Sequence, residues 1–375
     1  MFRNSLPKII ILAALGVSSI AIVHGQPKPG SEVDFAKCWT YEFGDAAASV
    51  IASDGVRVYV GGGGQVDALS LDGQRMWRTE FGGGIISNIL PLDEGLFFAV
   101  PVPTGGDKGN GGGDTLRVLS KETGITKLSI KLPEASEHYL AAYQGGIIVV
   151  SANGVVQYRD SKTGTAKWKR ELADGFATAP RFLADKLIVA STAKQVFAIS
   201  LATGEIDSMR KVPFNITAVG QTAAGDLMVG DERGNLTSFL GNTEKVTWKF
   251  RAGGEISTIL PTGVNILITS HDNFAYSLVA KNGAVDWKRR LSGRVGRIAT
   301  LEERYVLMSG IDDHGAVLTD LTNGKSAGQI VLGDLERINY NPVAASELIF
   351  LLTSDSIRSF GLNGCGAKKE GDPGK

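Results

Sequence analysis

The chain has 375 residues, with 39 basic and 39 acidic side chains and a formal charge of zero. With no basic block and no RNA-binding aromatic motif, that balance gives no electrostatic case for nucleic acid. At 43% hydrophobic and 21% charged this is an ordinary folded protein, and the lack of any long 3.6-residue pattern makes it all-β.

Residues 1–25 read as a secretory signal peptide. Arg3 and Lys8 precede an apolar run from Ile9 to Ile22, and Val23-His24-Gly25 sets cleavage before Gln26. The run is short for a membrane span, so a periplasmic or secreted protein with no span after cleavage is expected. An uncleaved anchor is the competing reading. No cysteine ends the run, so no lipid attachment is expected. Residues 26–35 form a polar, proline-containing linker.

From residue 36 the chain repeats. A turn ending in glycine precedes an aromatic by a fixed offset: Asp72-Gly73 before Trp77, Thr163-Gly164 before Trp168, Asn282-Gly283 before Trp287. Leu128, Ser208 and Gly328 stand at the same offset from Gly124, Gly204 and Gly324, and Trp248 follows a variant turn. With Trp39 these positions step by 38, 51, 40, 40, 40, 39 and 41. A period near 40 holding about four short strands predicts a β-propeller. Eight phased positions predict eight four-stranded antiparallel blades over 36–364. The five tryptophans, Trp39, Trp77, Trp168, Trp248 and Trp287, are expected to pack blade on blade.

The two ends complete each other. Ala36 to Phe43 is a strand with no partner before it. Leu348 to Thr353 and Ser356 to Leu362 lack a following strand, since the tail 365–375 is not strand-like. The N-terminal strand is therefore expected to close the ring, removing an open sheet edge. Closure brings Cys38 and Cys365 to one blade corner, where an exported protein permits a disulfide.

The strand Ala68-Leu69, turning at Asp72-Gly73 into Trp77 and repeated from Ala198 to Ser208, resembles the tryptophan-docking repeat of the pyrroloquinoline-quinone-like (PQQ-like) propeller superfamily. One branch, the quinoprotein alcohol dehydrogenases, implies a PQQ cofactor, calcium ligands and a pair of adjacent cysteines. No such pair occurs here, so neither PQQ nor another cofactor is expected. In size and layout the chain is similar to the BamB-type outer-membrane assembly factors, although it lacks their lipid-attachment cysteine. That resemblance implies an exported, non-catalytic protein-interaction scaffold. It would assist outer-membrane or envelope protein assembly as a monomer within a complex, with another envelope protein as partner. The alternative is a ligand- or metal-binding propeller, or a PQQ-dependent dehydrogenase-like enzyme.

No G-x-S-x-G, H-E-x-x-H or phosphate-loop motif occurs. The Gly-rich insertion 101–114 offers Asp107, Asn110 and Asp114 as calcium ligands, against a plain tolerated loop. Propeller topology sends the second-to-third-strand turns and the inter-blade links to one face, opposite the minimal glycine turns. That variable face is where binding is expected. It carries His138 and the partner candidates Arg233, Arg294, Arg297, Asp312, Asp313 and His314. His271 and Asp272 occupy the turn equivalent to Asp312, Asp313 and His314 one blade on. These five are the weak metal candidates, against polar loops facing water.

Overall fold

The computed structural model describes residues 19–20, 33–44, 47–101, 113–133, 135–183, 185–241, 243–301, 303–311, 314–334, 336–362 and 364–365. Eight sheets, each with four antiparallel strands of the ring, follow one another along the chain. The first blade runs from Val50–Ser53 through Arg57–Gly62 and Gln65–Ser70 to Arg75–Glu80. The sixth runs from Ile256–Thr262 through Asn265–Ser270 and Phe274–Val279 to Val285–Arg290. In the eighth blade the outer strand is Phe35–Glu42, paired antiparallel with Ser356–Leu362. Closure by the N-terminal strand thus holds, with bounds one residue earlier than the sequence suggests. No helix long and apolar enough to cross a membrane occurs among the described residues.

The strands are short because each blade must bulge and turn at a fixed place. In every outer strand the ladder slips just before the phased position, for example between Leu69 and Ala68 opposite Trp77, and between Lys37 and Trp39. A bulge of this kind bends and twists the strand, swinging the next side chain onto the following blade. The indole N–H groups report that docking directly. Trp39 donates to Leu71 O at 2.8 Å, Trp77 to Lys121 O at 2.8 Å and Trp168 to Leu201 O at 3.1 Å. Trp248 and Trp287 donate to Ala280 O and Leu321 O at 3.0 and 2.9 Å. Each acceptor lies in the turn between the third and fourth strands of the next blade.

The turn glycine is required there for two reasons. Gly204 holds φ at 72°, and a Cβ on it would stand 2.5 Å from the ring of Trp168. Where tryptophan is missing, other groups fill in. Leu128 and Ile130 lie against Gly164, and Phe35 with Val33 covers Gly328. At the Ser208 position the Arg210 guanidinium stacks 4.1 Å from the Phe239 ring centroid.

The seam of the ring is covalent and polar as well as hydrogen-bonded along the ladder. Cys38, the bulge residue of the closing strand, is bonded to Cys365. Tyr41 of the same strand donates at 2.6 Å to Asp67 of the first blade, a fully buried carboxylate that also takes Arg78 Nε and Nη2 at 2.7 and 2.8 Å. Burial, then Asp67, pushes the Tyr41 phenol above its ordinary value. Of residues 1–25 only Ser19–Ile20 is described, lying parallel to Thr300–Leu301 on the inner strand of the seventh blade. The rest of residues 1–32 and most of the tail lie outside the described residues.

Candidate functional site

Inner strands start on the face of the inter-blade links, and there the central channel opens into a cavity of about 650 Å³. Blades one, two, three, seven and eight supply most of its wall. Two asparagines hold the entrance together by standing in for backbone. Asn88 Nδ2 donates to Leu140 O at 3.0 Å while its Oδ1 accepts Leu140 N–H at 2.8 Å, joining blades two and three. Asn341 Oδ1 accepts Ile298 N–H at 3.1 Å, joining blades eight and seven. A side-chain amide offers one donor and one acceptor, the pair that an extra strand residue would provide.

The ionisable groups of the mouth are Arg297, Glu137, His138, Tyr139 and Tyr340. Arg297 Nη1 donates to Gly296 O at 2.8 Å, while its buried Nε makes no hydrogen bond among the described residues. Burial lowers the Arg297 pKa, because a desolvated guanidinium has lost its water shell. Burial also pushes the Tyr340 phenol up to about 12. It pushes Tyr139 to about 12 as well, reinforced by Glu137 beside it. On the inner strand of blade four Arg181 donates to Val219 O at 3.3 Å, and burial lowers its pKa too. The mouth thus presents a partly desolvated cation among phenols and amides, a set suited to a carboxylate or a carbonyl edge.

His138 sits below this surface. It is 1% exposed, with Nε2 2.8 Å from Asp114 Oδ2 and Nδ1 2.9 Å from Ser151 Oγ. The order Ser-His-Asp resembles a hydrolytic triad, but Ser151 is fully buried within the sheet of blade three. Asp114 also accepts Ser136 N–H at 2.8 Å. The network therefore ties the end of the Gly-rich insertion to blade three, and commits Asp114 to protein partners. Asp107 and Asn110 lie outside the described residues.

The other variable-face candidates do not converge on the mouth. Arg233 and Arg294 are exposed in the turn of blade five and the link from blade six to seven. His271 Nδ1 lies 3.7 Å from Glu255. His314 Nδ1 lies 2.6 Å from Arg337 Nη1, a neighbour that disfavours a bound cation. Asp272 accepts Gly253 N–H at 2.7 Å, Phe274 N–H at 3.1 Å and the Tyr276 hydroxyl at 2.7 Å. Burial raises its pKa, but these donors outweigh that and hold the carboxyl below its usual range. Asp312 and Asp313 lie outside the described residues, and no three potential metal ligands cluster among the described ones.

With this geometry in view, the chain can be set beside known proteins. A family model described as outer membrane protein assembly factor BamB matches residues 62–225, from the second strand of blade one into blade five. The crystal structure of BamB from Moraxella catarrhalis matches with a TM-score of 0.66 at 13% identity, over 88% of this chain and 100% of that one. The ring is an eight-bladed β-propeller whose repeat over residues 62–225 is similar to that family's. Its shape is shared more widely than its sequence. The computationally designed Ika8 protein matches at TM-score 0.70 and 13% identity, over 87% of this chain and 99% of that one. The C-terminal WD40 domain of Sif2 matches at 0.70 and 10%, over 89% and 99%. At such identities these structures speak for the propeller fold alone. No curated protein matches the sequence.

Sequence reasoning placed Arg297 on the link face, where it lines the mouth, and did not single out Asn88, Tyr139, Tyr340 and Asn341. These stand in links or, for Tyr139, at the start of an inner strand, away from the phased positions. The one available signal was that each precedes or begins an inner strand.

Proposed function

We propose that this propeller is an exported, non-catalytic scaffold that docks another envelope protein on its link face, within an assembly complex. The observation that carries the reading is the channel mouth: an opening of about 650 Å³ whose one guanidinium, Arg297, keeps a buried Nε without a partner among the described residues. The match of residues 62–225 to an assembly-factor family supports it. A partner side chain or backbone carbonyl reaching Arg297 would satisfy that group, while exposed Arg233 and Arg294 would contact the same partner at the rim. Export by the leader, cleaved before Gln26, belongs to this reading and is checked by N-terminal sequencing of the extracellular or periplasmic form.

The experiment is a pull-down from envelope extracts with the tagged chain. Arg297→Ala combined with Arg233→Ala and Arg294→Ala should lose the partner, whereas Lys162→Ala with Lys281→Ala, on the glycine-turn face, should keep it. The opposite pattern would refute the assignment of the face. A second reading rests on the size of the mouth, which falls within the range of small-molecule pockets. Under that reading a small polar ligand raises the thermal midpoint of the wild type and not of Arg297→Ala.

A further inference from the structure

The outer strands carry a second pattern that the link face does not use. In all but the closing strand, where Thr40 is half-buried, the residues one and three places after the phased position are exposed and on one side. In blades four to six these are Met209 and Lys211, Lys249 and Arg251, Lys288 and Arg290. Five of the six are cations, and none of the five has a carboxylate within ion-pair distance among the described residues. Elsewhere such cations are paired or missing, save the single Lys131 of blade two. Lys169 pairs with Glu171 at 2.7 Å, and Arg78 is held by Asp67. Blades seven and eight have Gln329 and Val331, Thr40 and Glu42 there. Hence a chain with no net charge gathers unpaired positive charge on one arc of its rim.

The same residues own the open sheet edge. Ala252 N–H donates inward to Gly234 O, so by the alternation of an antiparallel ladder Arg251 and Lys249 turn their N–H and C=O outward. Leu291 N–H donates inward to Asn273 O, which does the same for Arg290 and Lys288. No backbone group outside the blade bonds to Val246–Arg251 or Val285–Arg290 among the described residues. The ring itself demonstrates what such an edge accepts. On blade seven, whose outer strand Ser326–Val331 has no charge, Val33 N–H from the approach to the closing strand donates to Ala327 O at 2.6 Å, a single main-chain bond at the bulge of that edge.

Charged residues on an edge guard it against adding a copy of the same strand. A guard of one sign is selective: it repels basic or identical strands and attracts an acidic one. We propose that the edges of blades five and six take an acidic, extended segment of a partner protein by strand addition, with Lys249, Arg251, Lys288 and Arg290 pairing its alternate carboxylates. Main-chain bonds would supply affinity and the charge pattern specificity. The inference rests on the scaffold reading for its partner, but it fails separately. Arg297 variants test the channel mouth in extracts, whereas the rim is tested with purified chain and a synthetic probe.

The probe is a fluorescein-labelled peptide alternating glutamate with valine and threonine, read by fluorescence polarisation. The control peptide has lysine for every glutamate. The acidic peptide should bind the full chain and the lysine peptide should not. Reversal of the four cations to glutamate should weaken binding at least about fourfold, four exposed ion pairs at their weakest. Lys249→Pro should weaken it more than Lys249→Gln. Both variants lose the charge and only proline loses the edge N–H, on an edge strand that tolerates it. No binding of the acidic peptide, or equal binding by the proline and glutamine variants, would overturn strand addition. So would tighter binding, lost in the four-cation variant, to vesicles one-third phosphatidylglycerol or to a single-stranded oligonucleotide, which would make the arc a surface for lipid or nucleic acid.

Discussion

Replacing Cys38 and Cys365 together by serine opens the covalent seam and leaves the closing ladder in place. The bridge spans 327 residues of sequence. For a loop of that length the chain-entropy relation gives a stabilisation of roughly 6 kcal/mol, exerted on the unfolded chain. An unfolding entropy near 2.1 cal/mol/K per residue, over the same 327 residues, is about 0.7 kcal/mol/K. The thermal midpoint should therefore fall by about 8 °C. Scanning calorimetry at one fixed rate compares wild type, the double variant and wild type under reductant, since large chains often unfold irreversibly. Reduced wild type should match the double variant. A fall below about 2 °C would refute the entropy reasoning. It would mean that the unfolded chain is already restrained, or that the seam survives the transition.

Removal of Arg78 to alanine leaves the fully buried Asp67 carboxylate with the Tyr41 hydroxyl alone, and should cost about 3 kcal/mol in urea titration. Tyr41→Phe should cost only about 1 kcal/mol, and the reverse ranking would refute the seam network. Asp54, Asp272 and Asp320 are all held below the usual carboxylate value of 3.8. A depressed pKa contributes stability that is present above the unfolded value and lost as pH falls through the folded one. Midpoints measured from neutral pH down to the acid limb should thus decline below about pH 4, and Asp272→Asn should decline less steeply than wild type.

The ring was legible because its constraint is periodic. A four-stranded blade must bulge, turn on glycine and dock a side chain at one fixed place, so the phase survives even where Trp gives way to Leu128, Ser208 or Gly328. The orphan strand at one end and the vacancy at the other announced the closure and brought Cys38 toward Cys365. The site was less legible for a physical reason. Asn88, Tyr139, Arg297 and Tyr340 come from inner strands and the links before them, far apart in the chain, and only the closed ring brings them together. Asp272 illustrates the opposite error. As an acid beside His271 it suggested a ligand, yet its oxygens are used by the turn it sits in and by Tyr276. The Asp-Asn-Phe-Ala-Tyr spacing, with a hydroxyl four residues on, was the overlooked signal of that capping role.

The strand Phe35–Glu42 is among the first parts of the ring to be synthesised, and its partner Ser356–Leu362 among the last. Blades one to seven can form as the chain lengthens, each finding its strands nearby. The eighth has to wait, so for most of the synthesis or translocation interval blade one faces solvent where the eighth will stand. Such late, long-range pairing is slow, and the waiting edges invite the wrong neighbour. The bond between Cys38 and Cys365 can form only once the two ends of the chain have met, so it records that the circle is complete.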